Sequence, residues 1–420
     1  MAPSGSGSGF RRFMEKQIVR IKLAFQALAI VVALLTSLSL AGCGIGKVSI
    51  SQSCLGPCTV PPTAEFLYAT STNHISAFTI NQSTGALSSP LTMSGPNQSL
   101  GMVATVTLGH LYVSDFLNDA VDGFSITSSS GGLTPITGLP FALGGTPPGA
   151  GGLTMIVPGG AYLYATDLNA STVAGFTFDS ASGKLTPVPG SPFSAGNTPV
   201  QAVQAGNQGK FLYVSNLNDS AGGISAFTID QNTGALSPIP GSPFPTGIAG
   251  SFPGPSAMVV NNNFLYVALA GTANPNNKIV AFAIDPTTGV LTTLPSSPFV
   301  TGSDPLYIAF VPVTFGSQAF LYTANVQDDT ISAFTADDNT GVLTPVNGSP
   351  YAAGSSVGGL AVPPTGTSTL GSFFLYAADP QAKTVRAYAI DGNTGALSPI
   401  SGSPFPAGNA PLLLTVAQGP

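Results

Sequence analysis

The sequence predicts an all-β fold, a seven-bladed β-propeller with four-stranded antiparallel blades. The triplet Phe-Leu-Tyr, or a close variant of it, recurs seven times at intervals of 44 to 56 residues. Repeats of about 40 to 55 residues that consist of short strands are typical of propellers and not of helical solenoids. The triplets begin at Phe66, His110, Tyr162, Phe211, Phe264, Phe320 and Phe374.

Each triplet opens a short apolar segment, such as Phe211 to Ser215 in the fourth repeat. An apolar run without alternation fits a strand that is buried on both faces, as in a blade packed between two neighbours. A polar loop, a second apolar strand and a turn follow. The turn contains a glycine two residues before a leucine, and glycine adopts positive φ at little cost. These glycines are Gly85, Gly131, Gly183, Gly234, Gly289, Gly341 and Gly395.

The last strand of most repeats contains proline, and in the fourth repeat we expect it to run from Leu236 through Phe244. Proline has no N–H to donate, so in a central strand it would remove a hydrogen bond from the ladder. This strand must therefore be the outer edge of its blade. Proline there also blocks edge-to-edge association. The prolines are Pro135, Pro187, Pro238, Pro345 and Pro399.

The innermost strand of each blade should precede its triplet. Six segments fit this role, at 102–107, 153–157, 200–204, 257–260, 307–311 and 360–362. The first repeat has no such segment before it, because residues 59–64 are not strand-like. The end of the chain, at 411–416, supplies the missing strand. We therefore expect this strand to complete the first blade and to close the ring.

Four motifs, or close variants of them, follow one another along the repeats: Phe-Leu-Tyr, Ile/Val-x-x-Phe, Thr-Gly-x-Leu and Gly-Ser-Pro-Phe. This succession resembles the lactonase-like, YVTN-type seven-bladed propellers, a family that includes bacterial 6-phosphogluconolactonases and the fungal muconate-lactonising propeller. The resemblance extends from Glu65 to Gln418. The shared residues build the blades, so the resemblance implies the fold and leaves the activity open.

The composition excludes one class of partner. Charged residues make up 7% of the chain, compared with about 25% in an average protein. From Cys43 onward, six lysines and arginines stand against sixteen aspartates and glutamates. Nucleic-acid binding requires clustered cations, so we expect none. The sequence also predicts no cofactor and no metal centre.

The N-terminus has the pattern of a secretory signal peptide. Basic residues from Arg11 to Lys22 precede an apolar run from Leu23 to Leu40. The segment from Leu40 to Cys43 resembles the lipobox of bacterial lipoproteins, which implies cleavage before Cys43 and lipidation of that residue. Several acyl chains together give a stable membrane anchor. An uncleaved transmembrane helix is the alternative.

These features predict three segments: a signal peptide at 1–42, a lipidated tether at 43–64 and the propeller at 65–420. Gly44 in place of aspartate favours the outer membrane of the cell envelope, by analogy with other lipoproteins. Within the tether, Cys54 and Cys58 either form a small disulfide or remain free thiols. A metal site would need more ligands than these two cysteines.

Lactone hydrolysis needs a base that activates water and a group that holds the oxyanion. Enzymes of the resembled family cluster Arg, His and Glu at the mouth of the central channel. From Cys43 onward this chain has one arginine, two histidines and one glutamate, which fall at different places in the repeat. We expect Arg386 on a solvated blade face, His74 in an exposed loop, His110 packed within a blade and Glu65 at the surface.

A polar residue stands five residues after the start of six of the seven triplets, and Leu269 takes this position in the fifth. Such residues either cap strand ends through hydrogen bonds to nearby backbone or form a rim that binds sugars or a hard cation such as Ca²⁺. The candidate rim residues are Asp115, Asp167, Asn216, Asn325 and Asp379.

The missing catalytic cations and the lipid anchor predict a monomeric binding or scaffold module of the cell envelope. Its ligand would be a protein or a carbohydrate, bound on the loop-rich face. The alternative is a lactone hydrolase in which Asp115, Asp167 or Asp379 acts as the base. A carboxylate beside a histidine or arginine at the channel mouth would favour the enzyme.

Overall fold

The computed structural model describes residues 34–35, 64–105, 108–156, 162–206, 209–218, 223–247, 254–270, 277–312, 318–363 and 373–419. The predicted signal peptide and tether lie outside these residues except for 34–35 and 64, so the predictions for Cys43, Cys54 and Cys58 do too. Within the described ranges, no helix is long and apolar enough to cross a membrane.

Seven antiparallel sheets form the ring, which confirms the seven-bladed propeller. Blade 1 contains β2 (Glu65–Ser71), β3 (His74–Thr79), β4 (Leu91–Ser94) and β35 (Leu413–Gln418). Blade 2 contains β5 (Gly101–Ala104), β6 (His110–Asp115), β7 (Ala120–Ile126), β8 (Leu133–Pro135) and β9 (Phe141–Ala142). A two-residue strand, β1 (Leu34–Leu35), pairs in parallel with β5.

The next two blades repeat this plan. Blade 3 contains β10 (Ala150–Ile156), β11 (Tyr162–Asp167), β12 (Thr172–Phe178), β13 (Leu185–Pro187) and β14 (Phe193–Ser194). Blade 4 contains β15 (Pro199–Ala205), β16 (Phe211–Asn216), β17 (Gly223–Ile229), β18 (Leu236–Pro238) and β19 (Phe244–Pro245).

The last three blades follow the same order. Blade 5 contains β20 (Pro255–Asn261), β21 (Phe264–Leu269), β22 (Lys278–Ile284), β23 (Leu291–Thr293) and β24 (Phe299–Val300). Blade 6 contains β25 (Pro305–Val311), β26 (Ala319–Asn325), β27 (Thr330–Ala336), β28 (Leu343–Pro345) and β29 (Tyr351–Ala352). Blade 7 contains β30 (Leu360–Ala361), β31 (Phe373–Asp379), β32 (Thr384–Ile390), β33 (Leu397–Pro399) and β34 (Phe405–Pro406).

The C-terminal strand closes the ring as predicted. β35 pairs antiparallel with β2, with Val416 opposite Leu67 and Thr415 opposite Tyr68. The strand occupies Leu413–Gln418, two residues beyond the predicted segment. The first and last parts of the propeller therefore share one sheet, which links the two ends of the ring.

In six of the seven blades, the outer edge differs from the prediction of one unbroken strand. In blade 4, β18 and β19 are separate short strands that both pair with β17. Between them, the Ser242–Pro243 peptide bond is cis, and the backbone N–H of Ala226 donates to Ser242 Oγ at 2.9 Å. The serine hydroxyl thus replaces a ladder acceptor where the edge strand is broken. Ser191, Ser297, Ser349 and Ser403 do the same in their blades.

The tyrosine of each triplet joins its blade to the next one. In all seven blades its buried hydroxyl donates to the carbonyl oxygen of the turn glycine in the following blade, at 2.6 to 3.1 Å. The bond from Tyr376 to Gly85 closes the circle. A buried hydroxyl needs a hydrogen-bond partner, and this contact provides one in every blade.

The turn glycines meet two requirements at once. Gly289, for example, has a φ of +75°, and a Cβ atom built there would lie 2.6 Å from Phe211 Cδ1. Phe211 is the first residue of the triplet in the preceding blade. Positive φ and the close aromatic contact both require glycine, which confirms the predicted turn conformation.

Candidate functional site

We define the crossover face as the end of the ring that carries the loops between second and third strands and the connections between blades. The opposite end, with the turn glycines, is the turn face. The five predicted rim residues end β6, β11, β16, β26 and β31 on the crossover face. Asp115 is 5% exposed, and the other four are at most 1% exposed. Their side chains therefore point into the protein.

The three aspartates of this set cap the loops that follow them. Asp115 Oδ1 accepts from the N–H of Asn118 at 3.1 Å, and Asp379 Oδ1 accepts from that of Ala382 at 2.9 Å. Asp167 Oδ1 accepts from two backbone N–H groups, at 3.1 and 2.9 Å. This is the geometry of strand-end capping, and a ligand role for these residues stays a prediction.

The two asparagines reach across to the third strand of their own blade. Asn216 Nδ2 donates to Ser225 Oγ, and Asn325 Nδ2 donates to Ser332 Oγ, both at 2.9 Å. Ser225 and Ser332 occupy the same register position in β17 and β27. In blades 2 and 7 this position holds Asp122 and Arg386.

Blade 7 places a guanidinium against a buried carboxylate. Arg386 Nε lies 3.4 Å from Asp379 Oδ2, and the arginine side chain is 29% exposed while that of Asp379 is buried. Ser355 donates to the same carboxylate through its N–H and its hydroxyl, both at 3.1 Å. The prediction of a solvated Arg386 was wrong, because the loop before β30 packs over it. A Cβ on Gly354 would lie 2.3 Å from Arg386 Nε.

Blade 2 carries the opposite charge at this position. Burial, with the nearby charge of Asp115, raises the pKa of Asp122 to about 6. Two carboxylates thus face each other where blade 7 has an ion pair. Like charges at short range favour the protonated form of one partner.

A second pair of acidic residues spans blades 2 and 3. Burial raises the pKa of Asp119 to about 6, and the Asp167 carboxylate adds to that rise. Asp119 Oδ1 and Asp167 Oδ2 are buried and have no hydrogen-bond partner within the described ranges. Asp119 lies in the loop between β6 and β7. The fold of that loop, with φ of +50° at Asp119, brings it to the neighbouring blade.

The remaining candidate groups do not join these clusters. Glu65 was predicted at the surface but is 3% exposed, because β35 and β3 flank its strand. His74 begins β3 instead of lying in a loop, with Nδ1 3.0 Å from the carbonyl oxygen of Thr72.

His110 is buried in blade 2 as predicted. Burial lowers its pKa, and the charge of Asp179 opposes that shift. His110 begins β6 and Asp115 ends it, so the imidazole lies at the far end of the blade from the crossover face.

In the part of the chain that the structure describes, no group of three or more His, Cys, Asp or Glu side chains could hold a metal ion. On the crossover face, the described residues include a carboxylate–guanidinium pair in blade 7. They also include two pairs of carboxylates, Asp115 with Asp122 in blade 2 and Asp119 with Asp167 between blades 2 and 3. The blade 7 pair places a carboxylate beside an arginine, but on the second and third strands of the blade and not at the channel mouth that the sequence criterion names.

A family model described as "Lactonase, 7-bladed beta-propeller" matches residues 59–357. No match was found among curated proteins. The solved structure of the periplasmic gluconolactonase of Pseudomonas aeruginosa is similar, with a TM-score of 0.62 and 17% identity over 85% of this chain and 100% of that one. The structure of a candidate 6-phosphogluconolactonase of Bacteroides uniformis is also similar. Its TM-score is 0.62 and its sequence identity is 18%, over 84% of this chain and 99% of that one.

A Desulfotomaculum acetoxidans protein of unknown function gives a TM-score of 0.60 at 14% identity, over 84% of this chain and 99% of that one. At these identities, the structural likeness supports the fold alone. The family match covers well over half of the sequence and favours the lactonase alternative over a scaffold role. The chain belongs to the lactonase family of seven-bladed β-propellers.

Proposed function

We propose that this protein hydrolyses lactones, the function that the sequence analysis held as its alternative. The family match over residues 59–357 carries this proposal. Two structural relatives are described as a gluconolactonase and a candidate 6-phosphogluconolactonase. Both descriptions favour a sugar lactone as the substrate of this chain.

Hydrolysis of a lactone begins with attack of water on the ring ester carbon. Negative charge then develops on the carbonyl oxygen, the ring C–O bond breaks, and the released alkoxide oxygen takes up the proton that the attacking water gives up. A cation or hydrogen-bond donor that holds the developing oxyanion lowers the barrier. Arg386 is a suitable donor, because its side chain is 29% exposed and its guanidinium has N–H groups besides the one that contacts Asp379.

Asp379 supports Arg386 and does not face substrate. Its carboxylate is fully buried and accepts hydrogen bonds from Ala382 and Ser355. These bonds hold the carboxylate on the crossover face, and the carboxylate in turn fixes the position of Nε. Asp379 is therefore a positioning residue in this proposal.

The test is hydrolysis of glucono-1,5-lactone and its 6-phosphate by the full chain in detergent. Proton release at constant pH 6 measures the rate, because spontaneous hydrolysis is slow enough there to subtract. We expect turnover above that background and a loss of kcat/KM of about 100-fold in Arg386→Ala, the effect of removing one oxyanion donor. Lys383→Ala, an exposed cation in the adjoining loop, is the matched control.

Two outcomes separate the parts of this proposal. Absence of turnover by the wild-type chain contradicts the lactonase function and restores the binding or scaffold module as the better reading. Turnover that survives in Arg386→Ala leaves the function standing and removes Arg386 from it.

We also propose that the propeller is tethered to the cell envelope through Cys43. The proposal is supported by the lipobox-like sequence from Leu40 to Cys43. We expect wild-type protein to incorporate labelled palmitate and to sediment with membranes. Cys43→Ser should lose both properties, and an unlabelled wild-type chain would contradict the proposal.

A further inference from the structure

Asp119 and Asp167 come from adjacent blades and bury their carboxylates side by side. Asp119 precedes β7 of blade 2, and Asp167 ends β11 of blade 3. The two residues are 2% and 1% exposed. Asp119 Oδ1 and Asp167 Oδ2 accept no hydrogen bond from any described residue. One oxygen atom of each carboxylate thus lacks the donor that such atoms normally have. The backbone N–H of Gly145 donates to Asp119, and the two carboxylates lie within hydrogen-bond distance of each other.

The connection from blade 2 to blade 3 is shaped around these carboxylates. A Cβ on Gly145 would lie 2.0 Å from Asp167 Oδ2 and 2.9 Å from Asp119 Oδ2. A Cβ on Gly149 would lie 2.4 Å from Asp119 Oδ1 and 2.6 Å from Asp167 Oδ1. Only glycine allows so close an approach at either position. The backbone at the two glycines therefore packs directly against oxygen atoms of both carboxylates.

Two ionised carboxylates in a buried site repel each other unless a cation or a shared proton compensates them. Among the described residues, no lysine, arginine or histidine forms an ion pair with either aspartate. The two carboxylates offer oxygen ligands, which suit hard cations and not zinc or copper. We propose that Asp119 and Asp167 bind one divalent cation of the Ca²⁺ class, which ties blade 2 to blade 3.

The remaining ligands of this site would not be acidic side chains. The described residues contain no third His, Cys, Asp or Glu that completes a cluster with these two. Ca²⁺ takes six to eight oxygen ligands and accepts backbone carbonyls and water among them. In this proposal, water and backbone carbonyls of the loop at 145–149, which packs against both carboxylates, supply these ligands.

The experiment uses the full chain in detergent, freed of metal by chelation and dialysed at pH 7.5. Equilibrium dialysis against ⁴⁵Ca²⁺ measures the number of ions bound per chain. Thermal unfolding with and without Ca²⁺ measures how far binding stabilises the fold. We expect one ion per chain and a rise in Tm of about 5 °C at one hundred times Kd. Asp119→Asn should bind no ion and show no Ca²⁺-dependent rise. Asp179→Asn, at an exposed turn of blade 3, should respond like wild type.

Three results overturn the proposal. The first is absence of bound Ca²⁺ in the wild-type chain. The second is an equal response to Ca²⁺ in wild type and Asp119→Asn. The third is a Tm that ignores Ca²⁺ but rises as the pH falls from 7.5 to 5.5, because the carboxylates then share a proton instead of a metal ion.

Discussion

The turn face and the crossover face of this propeller are built by different rules. On the turn face, one hydrogen bond from a tyrosine to the glycine of the next blade recurs in all seven blades. On the crossover face, the register position of Arg386 is an aspartate in blade 2 and a serine in blades 4 and 6. The first face is uniform, and the second varies from blade to blade.

The difference has a physical cause. A closed ring requires every blade to dock on its neighbour at the same angle, so the contacts between blades must repeat. The crossover loops carry no such requirement, since each cap can be satisfied within its own blade, as at Asp115. The variable face is therefore the part of the molecule where a site can arise without loss of closure.

The largest effect should come from a side chain on the turn face. In Gly289→Ala, the new methyl group meets Phe211 and Ile239 at 2.6 Å, and the backbone must keep a φ of +75°. We expect a loss of about 3 kcal/mol in the free energy of unfolding, from overpacking and left-handed strain together. Urea unfolding of the full chain measures it.

Gly138→Ala is the matched control for this substitution. Gly138 also has positive φ, +92°, but no atom lies within 4 Å of the position of its Cβ. It should cost about 1 kcal/mol, the conformational part alone. Equal losses in the two variants would show that the aromatic contact between blades contributes nothing.

The uniform face is also the part that sequence reasoning predicts well. The positive φ of Gly289 and the edge position of Pro238 follow from local preferences of single residues. The variable face is different. The contact of Arg386 with Asp379 depends on the loop at Gly354, and that of Asp119 with Asp167 depends on how two blades meet. Periodicity carries no information on either contact.

Glu65 shows that the local sequence does not predict the burial of every residue in the fold. The sequence correctly predicts that the C-terminal strand pairs with the first blade, yet Glu65 was assigned to the surface. That pairing covers the start of β2, where Glu65 lies opposite Gln418. Burial of a residue thus depended on a segment more than 340 positions away, which the local pattern around residue 65 does not contain.

On the crossover face, blade 2 carries a carboxylate, Asp122, at the register position that Arg386 occupies in blade 7. Asp122→Ser gives blade 2 the residue found in blades 4 and 6. The folded-state pKa of Asp122, about 6, is above its ordinary value of 3.8, so ionisation destabilises the fold once the pH passes that range. At pH 7.5 the variant should be more stable by about 1 kcal/mol, after allowance for solvent screening. Below pH 4 the gain should vanish.

Asp230→Ser on the turn face is the comparison for Asp122→Ser. Asp230 is exposed, and hydrogen bonds from the N–H groups of Asn232 and Thr233 lower its pKa. Removal of this carboxylate should therefore destabilise the protein at pH 7.5. Urea midpoints that shift in the same direction for both variants would contradict the difference between the two faces.

The smallest effect is expected at His110, where one blade departs from the repeated sequence of the turn face. His110 replaces the phenylalanine that begins most triplets, and it packs on Gly183 of blade 3. Its Nδ1 atom is buried and has no hydrogen-bond partner among the described residues. At pH 7.5, His110→Phe should raise the free energy of unfolding by up to about 1 kcal/mol, because an unsatisfied polar atom is removed.

The same substitution has a pH dependence of known sign. Burial lowers the folded-state pKa of His110 below 6.5, although Asp179 opposes the shift. The unfolded chain therefore binds the proton first, and the wild-type protein loses stability as the pH falls below 6.5. The advantage of His110→Phe should grow between pH 7 and pH 5, as measured by paired urea titrations. A constant difference would mean that the pKa of His110 is the same in the folded and unfolded chain, with the charge of Asp179 cancelling the effect of burial.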